Sequence, residues 1–161
     1  MKKHGDTTDT DILGRQERKI LFLDFDGVLT SDANTLRCRL EHKPKNPYGL
    51  DWFDPDCLAA LQRIVDRTGA VIVVSSSWRE LGLDFLLRLW DELNMPGELY
   101  GTTPVWVLTK KEAIEQWLKD NKCDRYVILD DADMGMANSY QTKKVAGMTS
   151  ADADRIIEML T

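Results

Sequence analysis

The amino-acid sequence predicts an α/β domain, a Rossmann-like three-layer α/β/α sandwich around a mostly parallel sheet. Three observations lead there. Short apolar runs at residues 20–23 (Ile-Leu-Phe-Leu), 71–74 (Val-Ile-Val-Val) and 126–129 (Tyr-Val-Ile-Leu) have the length and unbroken hydrophobicity of strands buried on both faces. Segments with helical apolar spacing and recognisable caps alternate with them. Parallel strands joined by right-handed crossovers then align their C-terminal ends along one edge of the sheet.

The first strand runs straight into Asp24-Phe25-Asp26-Gly27. Residues 31–53 follow, with Pro44, Pro47, Gly49 and no sustained period, and read as a small insertion rather than a core element. Asp54 suits a helix N-cap and Pro55 the first helical position; Leu58, Leu61 and Val65 recur on one face before Gly69 ends the helix. After the second strand, Ser77 and Glu80 match a capping box, which leaves Ser75 and Ser76 in the strand-to-helix turn. The helix expected from Arg79 to about Asn94 carries Leu83, Leu86, Leu87, Trp90 and Leu93 at core spacing, and Pro96-Gly97 stops it. Short extended segments are expected over 99–107.

Thr109 and Glu112 form another capping box, opening a helix with Ala113, Ile114, Trp117 and Leu118 inward and Lys110 and Lys111 in its first turn. Lysines are disfavoured at that positive end of a helix unless an anion or a carboxylate cluster lies nearby. The run at 126–129 ends in Asp130 and Asp131, with Asp133 following. Val145-Ala146 offer an edge strand, and a last helix from about Ser150 sets Ala153, Ile156, Ile157 and Leu160 on one face. No repeat or linker divides the chain. Residues 18–161 therefore read as one domain, and residues 1–17 as a flexible tail.

Composition narrows the chemistry. Cys38, Cys57 and Cys123 are odd in number and have no close pair, which disfavours a disulfide framework and a cysteine-based zinc site. His4, in the expected tail, and His42 are the two histidines, so carboxylates must carry any acid-base work. A net charge of −6 argues against a broad nucleic-acid-binding surface, although Arg37, Arg39, Lys43 and Lys45 gather in the insertion against Glu41 alone. No apolar run approaches the ~20 residues of a membrane span, and the N-terminus lacks the apolar core of a signal peptide. The expectation is a cytoplasmic protein.

Two carboxylates as close as Asp24 and Asp26 repel by about 4 kcal/mol at ~4 Å and an effective dielectric near 20. Such a pair implies a cation, a shared proton or a divided catalytic task. Alone, Asp-x-Asp-Gly is equally the end of a strand in a turn. The shared strand edge changes this, because Asp24, Asp26, Ser75, Lys110, Asp130 and Asp131 converge there. Ser76 rivals Ser75, and Lys111 rivals Lys110, by one position each.

This order resembles the haloacid dehalogenase (HAD) superfamily over roughly residues 19–135: Asp-x-Asp after the first strand, Ser after the second, Lys at a helix start, then paired acids. Val-Val-Ser-Ser-Ser-Trp78-Arg79 and Leu-Asp130-Asp131-Ala-Asp133 look closest to the HAD-like domain of Swiss Army Knife RNA repair proteins. The resemblance implies a Mg²⁺-dependent phosphomonoester hydrolase working through an aspartyl-phosphate. In it Asp24 is the nucleophile and Asp26 the general acid and base, Ser75, with Ser76 its rival, binds a phosphoryl oxygen, and Lys110, preferred to Lys111 on its spacing to Ala113-Ile114 and Trp117-Leu118, neutralises charge. The Mg²⁺ ligands are Asp24, the Asp26 main-chain carbonyl and an acid from the pair Asp130 and Asp131. A flap is implied near residues 27–30. Residues 31–53 are too few for a large cap, so the site is expected to be open, with Arg79 a candidate substrate contact. The substrate is a phosphorylated metabolite, a nucleotide or a nucleic-acid 3′-phosphate end. A non-catalytic phosphate-sensing domain on the same fold is the alternative, and the oligomeric state stays open.

Overall fold

The three apolar runs form the middle of a single sheet. In the computed structural model, which describes residues 17–107 and 109–161, the strands are β1 (Lys19–Leu23), β2 (Val71–Val74), β3 (Leu99–Thr102), β4 (Arg125–Asp130) and β5 (Ser139–Gln141). Their order is β3-β2-β1-β4-β5 and every neighbouring pair is parallel. The helices are α1 (Asp32–Leu40), α2 (Pro55–Thr68), α3 (Leu83–Glu92), α4 (Lys110–Asp120) and α5 (Ser150–Leu160). The expected tail falls, Glu17 apart, outside the described residues, as does His4. No helix among the described residues is long and apolar enough to cross a membrane.

Alternation along the strands divides the core into the two faces of a three-layer sandwich. Leu21, Leu23, Ile72, Val74, Val127 and Leu129 pack with residues of α2, α3 and α5. Ile20, Phe22, Val73 and Ile128 pack with Ile114 and Trp117 of α4, whose indole meets Phe22 edge-on at 5.3 Å. All three middle strands are thus buried on both faces, as their unbroken apolar runs require.

Local signals explain where most helices begin. Asp54 caps α2 by accepting the Asp56 N–H, Pro55 takes the first turn, and Gly69 ends the helix with φ +73°. Thr109 with Glu112, and Thr149 with Asp152, make reciprocal capping boxes for α4 and α5. The buried faces are in places rotated from the expected stripes. In α2 the fully enclosed residues are Cys57, Ala60, Leu61 and Ile64, with Leu58 and Val65 at the margin. In α3 they are Leu86, Leu89 and Trp90, while Leu83 and Leu87 are exposed.

Five expectations are corrected. Residues 31–53 contain α1, capped by Ser31, whose side chain accepts the Asn34 N–H; its apolar pattern is too weak to be seen because its buried residues are Asn34 and Cys38. Ser77 is not the cap after β2. That task falls to Ser76, which accepts the Trp78 N–H at 3.2 Å and starts a 3₁₀ turn, Ser77–Leu81. Gly82, at φ +96°, breaks the chain there, so α3 starts four residues later than Arg79. The edge strand is β5, Ser139–Gln141, not Val145-Ala146; the latter lies in a turn closed by Gly147 N–H to Lys143 C=O. Residues 27–30, implied to be a flap, fold as a tight turn with Val28 and Leu29 in the core.

Asp54 links the insertion to the body. One carboxylate oxygen accepts the Asp56 N–H and the other accepts the Ser31 hydroxyl at 2.6 Å, with both side chains buried. Asp54→Ala removes a helix cap and orphans a buried hydroxyl, so urea unfolding should show a loss of about 2–3 kcal/mol.

Candidate functional site

Parity places the chemistry. β1 pairs Leu23 with Val74 of β2 and with Leu129 of β4. One residue further on, Ser75 N–H donates to the Leu23 carbonyl and Asp24 N–H to the Leu129 carbonyl, so the strand-like pairing continues past the apolar runs. Asp24, Ser75 and Asp130 therefore form a row across the C-terminal edge, on the same sheet face as Phe22, Val73 and Ile128. That face belongs to α4, and α4 begins with Lys110.

The Lys110 ammonium lies 2.8 Å from Asp130 Oδ2 and 3.4 Å from Asp24 Oδ1. Asp130 is 1% exposed and Asp24 is buried beside it. Asp131 joins them, and one carboxylate oxygen from each of the three lies within 4.8 Å of the others. Three ionised carboxylates against one ammonium leave a formal charge of −2 in a largely dry place. A hard cation taking oxygen ligands fits this donor set, and a small divalent ion balances its charge. Asp26 stands apart from the trio. Its side chain is exposed on the turn, while Phe25, between the two acids, is buried with its ring 5.5 Å from those of Phe53 and Trp78.

The electrostatics follow from crowding. Burial, and then repulsion from Asp130, push Asp24 up from 3.8 to about 6, and Lys110 counteracts this in part. Burial followed by Asp130 also raises Asp131. For Lys110, burial pulls the pKa down, but the hydrogen bond to Asp130 and the charges of Asp24 and Asp130 outweigh it and raise it overall. It stays an ammonium.

The structure separates the rival positions. Ser76 Oγ caps the 3₁₀ turn, whereas Ser75 Oγ is buried with no hydrogen-bond partner among the described residues. Lys110 is in the carboxylate cluster, and Lys111 is exposed. Arg79 is buried, its guanidinium donating to the carbonyl oxygens of Ser75, Ser76 and Pro104. It braces the turn that carries Ser75.

Gly27 is dictated by the same crowding. Its φ is +79°, and a Cβ there would lie 2.3 Å from Asp131 Oδ2. Two residues with no signal in the sequence hold this arrangement: Thr142 Oγ1 donates to the Gly27 carbonyl at 2.7 Å, and Gln141 Nε2 to the Asp131 carbonyl at 3.1 Å. The first contact spans 115 positions, beyond the reach of any local pattern. A cavity of about 950 Å³ lies elsewhere, lined by Arg18, Asn121, Lys122 and Arg125 at the other end of β4, and contains none of these groups.

A family model described as the HAD domain in Swiss Army Knife RNA repair proteins matches residues 20–153. No curated protein and no solved structure matches.

In the metal-free protein Asp24 binds its proton more tightly when folded than when unfolded. Between pH 4 and 6 the folded state therefore holds the extra proton, and stability falls as pH rises through that window, by about 3 kcal/mol for a shift of about two units. Asp24→Asn should flatten this slope and raise metal-free stability near pH 7 by about 2 kcal/mol, read from urea midpoints in chelator. Gly27→Ala should displace Asp131, and if the wild type gains Tm on adding Mg²⁺ the variant should lose that gain.

Proposed function

The chain belongs to the family of HAD domains in Swiss Army Knife RNA repair proteins, and from that membership we propose that it is a Mg²⁺-dependent phosphomonoester hydrolase acting through an aspartyl-phosphate. The observation that carries the proposal is the Lys110 ammonium held between Asp24 and Asp130, beside Asp131, at the edge where parallel α/β sheets bind ligands.

In this reading an Asp24 oxygen attacks phosphorus as the ester P–O bond breaks opposite it, and the leaving oxygen takes a proton from Asp26. Asp26 then accepts a proton from water, the water oxygen attacks phosphorus, and Asp24 departs as a carboxylate, releasing inorganic phosphate. The exposure of Asp26 suits this work, since it reaches solvent for each proton. Asp24 is ionised and ready at neutral pH, helped by Lys110, which also offsets the growing charge on the phosphoryl oxygens. Ser75 donates its otherwise idle hydroxyl to one of those oxygens. A divalent cation would be held by Asp24, Asp130 and Asp131, with the main-chain carbonyl of Asp26 a further ligand, and would shield the phosphoryl charge from these carboxylates.

The insertion supports an open site, since it folds into one nine-residue helix and a loop rather than a separate cap. We read the substrate as a phosphomonoester of a nucleotide or of a nucleic-acid 3′ end, with a small phosphorylated metabolite as the competing class. Asp24→Asn should release no phosphate, and Lys110→Met should lower kcat by about 10²–10³. Phosphate release from a 3′-phosphorylated oligonucleotide and from mononucleotides, each at two salt concentrations, distinguishes the substrates, because the polymer's KM alone should rise steeply with salt. Full turnover by Asp24→Asn would remove the mechanism. Mg²⁺ and phosphate binding without hydrolysis of any substrate would favour a phosphate sensor.

A further inference from the structure

Three buried hydroxyls have no hydrogen-bond partner among the described residues: Ser75, Thr103 and Ser139. Ser139 lies within β5. The other two are neighbours at the C-terminal edge. Val74 of β2 pairs with Thr102 of β3, and the Thr103 N–H donates to the Val74 carbonyl at 3.1 Å, so Thr103 stands beside Ser75 one step past the last paired residues. The row across the edge thus reads Thr103, Ser75, Asp24, Asp130, in one alternation across the sheet. We infer that Thr103 is a further phosphate-binding residue, its hydroxyl acting with that of Ser75 on one phosphoryl oxygen. The inference rests on the phosphoryl-transfer reading above.

Three observations carry it. Both hydroxyl-bearing residues are 0% exposed, and a buried hydroxyl without a partner costs stability, a cost that a ligand accepting from it would remove. Neighbouring strands lie about 4.8 Å apart, and a hydroxyl bonds an oxygen at about 2.8 Å, so a single oxygen atom between the two residues can accept from both. Arg79 then joins the two segments. Its Nη1 donates to the carbonyls of Ser75 and Ser76 at 3.2 and 3.1 Å, and its Nε to that of Pro104 at 3.4 Å. No carboxylate pairs with this guanidinium among the described residues, so a positive charge backs the wall where an anionic oxygen would sit.

Burial does not separate the two hydroxyls, because Ser75 is as enclosed as Thr103. Thr103→Val keeps the shape and removes the hydroxyl. Thr103→Ser keeps the hydroxyl and removes a methyl.

Inorganic phosphate binding in the presence of Mg²⁺, followed by calorimetry on the full chain, tests the pair together with KM, kcat and Tm. Thr103→Val should weaken phosphate binding about tenfold and raise KM by a similar factor, with Tm unchanged or higher. Thr103→Ser should return to within about twofold of wild type. Ser75→Ala combined with Thr103→Val should depart from the product of the two single losses, because both hydroxyls address the same oxygen. An active wild type with Thr103→Val unimpaired would overturn the role of Thr103 and leave the hydrolase reading intact. Losses that multiply in the double variant, or a Thr103→Ser as weak as Thr103→Val, would overturn it too. A wild type that neither binds phosphate nor hydrolyses any phosphomonoester would overturn both.

Discussion

The ion pair of Lys110 with Asp24 and Asp130 is the contact on which the rest of the site depends. Parallel strands with matched registers end side by side, so acids placed one residue past the apolar runs of β1 and β4 are forced together in a poorly hydrated place. Unrelieved, that concentration of charge would oppose folding. One ammonium relieves part of it. Lys110 delivers that charge from the first turn of α4, where a lysine is out of place by helix electrostatics alone. The carboxylates explain the lysine, and the lysine lets the carboxylates be buried.

Around this pair the chain is arranged for close approach. Gly27 has no Cβ because Asp131 occupies the space, and Thr142 and Gln141 tie the turn and the acid to the end of β5. Phe25 turns the opposite way from Asp24, and its ring is enclosed by Phe53, Trp78 and Trp90. A buried aromatic side chain contributes about 2–3 kcal/mol, which offsets part of the repulsion that would otherwise open the acidic turn. On the other side Ser76 and Arg79 hold the turn after β2, one by capping and the other by gathering three carbonyl oxygens. Among the described residues the Ser75 hydroxyl is left without a partner. Rigidity of the scaffold and freedom of the reacting groups arise from the same division of tasks.

Much of this was legible in the amino-acid order, and for definite reasons. Buried parallel strands must be apolar on both faces, so β1, β2 and β4 announce themselves as unbroken runs. Caps are local chemistry, so Asp54-Pro55 and Thr109 with Glu112 marked α2 and α4 correctly. The failures have reasons as well. Three serines in succession each satisfy part of a capping pattern, and nothing local singles out Ser76 as the one that caps. The helix α1 buries an asparagine and a cysteine rather than an apolar stripe, so periodicity has nothing to detect. β5 lies at the edge, is three residues long and pairs only on one side, so its sequence needs no hydrophobic run.

By itself, the sequence determined the fold class, the acids at the strand ends and the unusual lysine, because each follows from burial, spacing or helix chemistry within a few residues. Only the tertiary structure decided that Lys110 rather than Lys111 reaches the carboxylates, that Asp131 makes the third of the trio while the Asp26 side chain stands outside, and that Ser75 rather than Ser76 keeps a free hydroxyl. It alone set Thr103 beside Ser75. These outcomes depend on register and on which face a side chain takes across distant strands, and a one-residue change in either would exchange the partners while leaving every local signal as it is.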